Sequence, residues 1–425
     1  MTESRLAPWL SASRWPTAPI RLVARLGSGH TPSRSKPEYW QDCTVPWITL
    51  ADVWQLRDGR TNVIAETKEM VSPLGLANSA AVKHPAGTVI LSRTASVGFS
   101  AIMGRDMATS QDFATWTCGP KLEPRFLLHA LRGMAPDLKR VATGSTHKTI
   151  YMPDIEQLRV PLPPLEEQRR IADFLDAETA RIDRLVRSQL RLIGLLKDRE
   201  AAAIGEVLSN AAEKSIRLKH LLLFPPSYGA NEPAQHDRRD WPRYIRTTDI
   251  AEDGTLRDET FASLPPEVAQ QYLLDDGDLL LVRSGATAGK AFLYELRFGP
   301  AAHAGYLIRA RVNSQLMLPR LIWHFCQTTA YWQQINEGAV QATIQNVNAE
   351  KYGNLLVPHM AHDRQLDALR HIDALTEKSG ELRRHAHQML ALLAERRQAL
   401  IAAAVTGQFD VSTASGRNVA EGVTV

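Results

Sequence analysis

The chain has 425 residues, 44% apolar and 23% charged, and its 50 Lys and Arg against 46 Asp and Glu leave a formal charge of +4. Such a composition suits a globular protein of roughly two to four domains; the small cationic excess does not by itself call for nucleic acid, and no run of about 18 apolar residues is present to cross a membrane. Cys43, Cys118 and Cys326 lie far apart, without metal-ligand or redox spacing, and the early arginines and prolines leave no apolar core for a secretory signal, so a reducing, cytoplasmic compartment is expected.

Residues 1–164 carry short apolar runs separated by Gly, Pro and Ser, among them Val45 to Leu50 and Thr88 to Leu91, which read as strands of a mixed α/β domain. From about residue 166 to 208 the chain has no Pro and almost no Gly. There a 4-3 spacing runs through Ile171, Leu175, Glu178, Ile182, Leu185, Gln189, Leu192, Leu196, Arg199 and Ala203, which predicts a coiled-coil helix over 165–212. Its nine acidic and eight basic residues alternate in sign, as on a solvated or ion-paired face. Residues 213–361 repeat the texture of the first domain, with strands expected at Tyr244 to Arg246 and Asp278 to Val282. A second helix is predicted over 362–410, with an equivalent stripe at Ala368, Ile372, Leu375, Ser379, Leu382, Ala386, Met389, Leu393, Arg396 and Leu400. Two stripes of matching length most simply pack on each other. Residues 411–425, rich in Ser, Thr, Gly and Ala, read as disordered.

The two halves are copies. Pro161-Leu-Pro-Pro-Leu-Glu-Glu-Gln168 recurs in weaker form at Pro358 to Gln365, and the same displacement of 197 residues carries Asp52 onto Asp249, Ile150 onto Val347, Leu158 onto Leu355, Val160 onto Val357 and Leu196 onto Leu393. A period this long is a whole domain plus its helix, not a solenoid unit.

Catalytic signatures are missing. Gly285-Ala-Thr-Ala-Gly289-Lys290-Ala291 has one residue too few between its glycines for a phosphate loop and lacks the Ser or Thr after the lysine. Gly27-Ser-Gly29 lacks a third glycine. His359 with His362, and His385 with His387, have no further ligands at metal spacing. Neither a Gly-x-Ser-x-Gly elbow nor the Asn/Asp-Pro-Pro-aromatic motif of an amino-methyltransferase occurs, which shifts weight from enzyme to recognition module.

An ordered set of motifs spans nearly the whole chain: Gly29-His-Thr-Pro32 with Glu38-Tyr-Trp40; Ile90-Leu-Ser-Arg-Thr-Ala-Ser-Val-Gly98; Pro161 to Ala172; then Ser227-Tyr-Gly-Ala230, Arg243 to Ile250, Gly277 to Gly285 and the closing Leu392 to Leu400. In this set the chain resembles the specificity subunits of Type I restriction-modification systems. The resemblance implies two α/β (α+β) target recognition domains, each followed by a long helix, the two helices forming an antiparallel coiled-coil spacer in an internal pseudo-two-fold repeat. It also implies a non-catalytic reader of double-stranded DNA, embraced by two methylation subunits and, in the full complex, joined by restriction subunits. S-adenosylmethionine, ATP and Mg would be bound by those partners and no cofactor or metal by this chain. The second copy departs from the pattern in having Pro358-His359-Met360 and Arg364, so its hinge is expected to be built differently.

A helix of about 43 residues is roughly 64 Å long, enough to hold two readers about one DNA turn apart. Copies with shared scaffold and different remaining residues predict an asymmetric, bipartite target with an unread middle of fixed length. Base and phosphate contacts favour Arg, Lys, Gln, Asn, Ser and Thr on Gly-containing loops. The candidates in the first domain are Arg93, Thr94 and Ser96 on one loop and Ser145, His147 and Lys148 on another; in the second they are Arg283, Ser284, Thr287 and Lys290, and then Gln341, Gln345 and Asn346. Each residue type is also ordinary turn chemistry. Trp40, Trp47, Trp54, Trp116, Trp241, Trp323 and Trp332 read as core packing before base-stacking platforms. The competing reading is a coiled-coil interaction scaffold that does not touch DNA.

Overall fold

The computed structural model describes residues 8–143, 148–251, 254–337 and 346–413. The chain forms two compact units, Met1–Leu190 with His387–Val425, and Arg191–Ala386, so each unit takes part of both long helices.

In the first unit, a five-stranded sheet runs in the order Ala24–Ser28, Phe113–Cys118, Val89–Ser92, Ser100–Met103 and Val63–Ile64, antiparallel except at the last pair. Val89–Ser92 is buried along its whole length, as its Val-Ile-Leu run predicts for a strand covered on both faces. The helix Pro124–Gly133 covers the sheet, with Phe126, Leu127, Leu128 and Leu131 packed against Trp116, Val89 and Leu91. A smaller sheet joins Glu69–Val71, Val45–Ile48 and Ala108–Thr109. Thr17–Pro19 pairs antiparallel with Arg159–Pro161, so a two-stranded ribbon ties the domain's entrance to its exit.

The second unit reuses the plan with shorter parts. Its sheet runs Ser227–Tyr228, Leu307–Ala310, Leu279–Val282 and Ala291–Leu293, all antiparallel. Arg243–Ile245 pairs parallel with Ala301–His303, as Val45–Ile48 does with Ala108–Thr109. Lys214–Arg217 pairs with Leu356–His359 as the closing ribbon.

The long helices are Leu165–Ala211 and His362–Thr406, 47 and 45 residues. In the first unit, Ile171, Leu175 and Ile182 share a buried cluster with Leu393, Leu400, Ile401 and Val405. In the second, Ile204 and Leu208 share one with Ala368 and Ile372. The start of each helix therefore meets the end of the other, and the pair is antiparallel.

Of the expected apolar stripe, Ile171, Leu175, Ile182, Ala368, Ile372, Ala386, Leu393 and Leu400 are buried. Its members Leu185, Leu192, Leu375, Leu382 and Met389 are 38–47% exposed and Leu196 is half-buried, while Ile193, Ile204 and Leu208, outside the stripe, are buried. A straight helix drifts about 20° per heptad from a 3.5-residue repeat, so a stripe drawn at strict 4-3 spacing leaves the contact line. Charges fill part of that line instead: Arg397 pairs with Asp183, and Arg383 with Glu200 at 2.9 Å, all four side chains at most 24% exposed. Beyond the second helix, Val411–Thr413 forms a 3-10 turn with Val411 buried, so order extends into the predicted tail; residues 414–425 lie outside the described residues.

The duplicated motif is a pair of latches. The Gln168 amide donates to the carbonyls of Lys121 and Pro163 at 2.9 Å each and accepts from the Glu123 N–H at 2.9 Å. Gln365 donates to the carbonyls of Leu316 and Met360 at 2.9 and 3.0 Å and accepts from the Leu318 N–H at 2.8 Å. Both side chains are buried with all three bonds made, so each long helix is fixed to the loop ahead of its domain's covering helix, Pro124–Gly133 in the first and Pro319–Phe325 in the second. Arg125 adds Asp173 and Asp176, and Arg320 adds Asp373. The second hinge is thus built like the first: Met360 offers the carbonyl that Pro163 offers, and Arg364 stands exposed, outside the latch.

Candidate nucleic-acid interface

In each domain the structure brings the two candidate loops together. The first loop follows the central strand, Val89–Ser92 or Leu279–Val282, and turns into the next strand of the sheet. In the first domain the Ile150 N–H donates to the Arg93 carbonyl at 2.8 Å, the Ala95 N–H to the Lys148 carbonyl at 2.8 Å, and Thr94 bridges Thr149. In the second, the Val347 N–H donates to the Arg283 carbonyl at 2.8 Å and Ser284 bridges Asn346. Residues 150 and 347 are related by the same displacement as the rest of the repeat. The pairing of the loops is therefore duplicated along with the scaffold.

Local chemistry shapes these turns. Ser92 sits at the strand end and bonds the Ser96 carbonyl and the Phe99 N–H, which curls residues 92–99 into a tight hairpin. Gly98 at φ 93° and Gly289 at φ 91° take left-handed conformations near the return strands; a Cβ at Gly289 would also lie 2.7 Å from the Trp332 ring.

Arg93, Thr94 and Ser96 are half-buried, and Lys148 is exposed beside them. The Arg93 Nε is buried without a hydrogen-bond partner among the described residues. In the second domain Arg283, Ser284 and Thr287 are half-buried while Lys290 and Asn346 are exposed. Ser145, His147, Gln341 and Gln345 lie outside the described residues. Gly285 to Ala291 forms a hairpin into the strand Ala291–Leu293; no helix follows to receive a phosphate.

Several repeated residues turn out to be structural. Asp52 accepts from the N–H groups of Thr49 at 2.8 Å and Lys68 at 2.7 Å, capping the 3-10 helix Leu50–Leu56. Asp249 accepts from the Arg246 N–H at 2.7 Å and from its guanidinium. Both carboxylates are fully buried. Gly29 and Gly229, the glycines of the Gly-His-Thr-Pro and Ser-Tyr-Gly-Ala motifs, pass so close to neighbouring backbone that a Cβ would lie 1.8 Å from the Thr109 carbonyl oxygen and 2.1 Å from that of His303. Trp47 and Trp116 are core residues as expected, but Trp54 is 66% exposed. Among the described residues no group of three or more His, Cys, Asp or Glu could hold a metal, and no helix is long and apolar enough to cross a membrane.

Sequence reasoning missed Tyr228. Its exposed ring lies beneath the Arg283 guanidinium, 5.1 Å from the ring centroid, and no spacing signals a contact across 55 residues.

Comparison with known proteins agrees with this architecture. Residues 13–190 match the family model described as the Type I restriction modification DNA specificity domain. The chain is 27% identical over 163 residues to the Type I restriction enzyme MjaIX specificity subunit of Methanocaldococcus jannaschii, an alignment spanning 38% of this chain and only 37% of that relative's length. It is 20% identical over 423 residues to the StySPI specificity subunit of Salmonella potsdam, across 93% of this chain and 89% of the relative. Its fold is similar to that of a solved chain described with the complex assembly and conformational transition of the type I R-M system, with a TM-score of 0.64, 17% identity, and coverage of 96% of this chain and 100% of the other. The resemblance to Type I specificity subunits read from the motifs is therefore shown, and it extends from the first domain to nearly the whole chain.

Proposed function

We propose that the chain is the DNA-reading specificity subunit of a Type I restriction-modification system. Residues 1–164 and 213–361 are its two recognition domains, and 165–212 and 362–410 the spacer that sets the gap between half-sites. The observation that carries this reading is the duplicated pairing of a hairpin loop with a second loop, on one scaffold that shares its leading arginine (Arg93, Arg283) and differs in the side chains after it: Thr94 and Ser96 in one copy, Ser284 and Thr287 in the other. Two unlike readers on a repeated frame suit an asymmetric bipartite target. The chain itself performs no chemistry in this reading. It works in the cytoplasm, docking two methylation subunits and through them restriction subunits, which bind S-adenosylmethionine, ATP and Mg.

Duplex binding by the chain co-purified with its methylation subunits, measured across salt, tests the proposal. A reader retains one bipartite site over all others, and each phosphate it neutralises adds roughly 0.9 to the slope of log K against log salt. An interaction scaffold retains no sequence, which would overturn the reading.

A further inference from the structure

The arginines of the second domain are held in different ways: Arg243, Arg257 and Arg309 bond backbone carbonyls. Arg246, Arg297, Arg311 and Arg320 each grip a carboxylate within 2.8 Å. Arg283 has no carboxylate partner among the described residues. Its guanidinium lies over the Tyr228 ring, and its Nε donates to Asn346 Oδ1 at 3.4 Å. Both supports are neutral, so the charge is not cancelled, and both act on one edge or face of the guanidinium. The two Nη groups have no partner among the described residues.

The supports are themselves held. Tyr228 is pinned through its backbone in the strand Ser227–Tyr228, paired with Ile308, and through its hydroxyl, which accepts the Ala349 N–H at 3.3 Å at the start of the helix Ala349–Gly353. Asn346 is pinned by the bridge to Ser284 and by the Val347 to Arg283 bond beside it. The arginine backbone is fixed on its other side, where its N–H donates to the Tyr306 carbonyl at 2.9 Å. A planar fork with two free donors, fixed at its stem, matches the paired O6 and N7 acceptors that only guanine presents in the major groove. A phosphate can take the same fork, so dependence on sequence is what tells a base contact from a phosphate contact.

We propose that Arg283 reads a guanine in the half-site of the second domain, and that Tyr228 and Asn346 are the positioning residues that aim it. This rests on the DNA-reading function proposed above, and the test separates the two. The full chain, co-purified with its methylation subunits, is used to select from a randomised duplex library, and the retained duplexes are sequenced. The unaltered complex retains duplexes with an invariant guanine at one position of one half-site. Arg283→Ala and Arg283→Lys lose that preference, with a loss of about tenfold to a hundredfold on the preferred duplex and the other positions still selected. Tyr228→Leu and Asn346→Ala weaken selection at that same position only, while Tyr228→Phe, which keeps the ring, restores it; a purely structural role for the ring would weaken all positions of the half-site together. Equal weakening on every duplex by Arg283→Ala, or full selection at every position by Tyr228→Leu, would overturn the inference and leave the DNA-reading function standing. Retention of no sequence by the unaltered complex would bring down that function instead.

Discussion

Gln168 and Gln365 show how a few atoms fix the attachment of a domain to a helix. Each buried amide makes three bonds to peptide groups, and truncation would leave those groups without partners. Gln168→Ala is expected to cost about 2–4 kcal/mol in urea unfolding, since orphaned buried polar groups cost roughly 1–3 kcal/mol each and relax in part. Gln168→Glu should cost more, because it sets a carboxylate against the Lys121 and Pro163 carbonyls. Equal losses for the two variants would mean that the donated bonds do not matter. The repeat in the sequence marked these positions but not their role: Gln168 and Gln365 looked like part of a helix-leading motif, and Asp52 and Asp249 like a mere register check. The bonds of the two glutamines run to main-chain atoms alone and those of the two aspartates in part, and main-chain partners carry no sequence signal.

The two long helices were legible because an unbroken stretch without Pro and with recurring apolar residues has few other ways to fold. Strands such as Val89–Ser92 and Leu279–Val282 were legible for a similar reason, each a short apolar run between turn residues. Which residues face the partner helix was legible only in part. Ile182 is buried and Leu185 is 47% exposed, though both belong to the drawn stripe. Thermal or urea unfolding should therefore separate them: Ile182→Ala should cost about 2–4 kcal/mol and Leu185→Ala under about 1 kcal/mol. Comparable losses would restore the stripe read from the sequence. The pairing of Arg93 with Ile150, and of Arg283 with Val347, was out of reach, because it depends on register between segments more than fifty residues apart. The side chains on both loops could be nominated by type; their neighbours, Tyr228 above all, could not.

At the scale of the whole chain, duplication has kept the frame and changed the fittings. The second unit buries His303 and His324; His324 holds the place in its covering helix that the buried His129 holds in the first, whereas no buried histidine stands at the displaced position of His303. Burial pushes both imidazoles from 6.5 down to about 4, aided at His324 by the nearby charge of Arg320 and opposed at His303 by the Tyr272 carbonyl. The folded pKa is the lower one, so as pH falls the unfolded chain takes up protons first. Stabilisation is full above 6.5 and drains away between 6.5 and about 4. The urea midpoint of the second unit should fall over that window, and His324→Phe should flatten the decline; a midpoint indifferent to pH there would mean that both rings stay accessible to water. The latches carry a different consequence. Gln168 and Gln365 grip peptide bonds alone, helped by one arginine at the second position of each covering helix, and a two-stranded ribbon joins each head at its neck. Such a fitting is blind to what the head displays on its far side. A transplanted head of foreign sequence with the same neck would seat on the same rods, so a lineage could acquire new targets wholesale by exchange, without refitting anything that the rods carry.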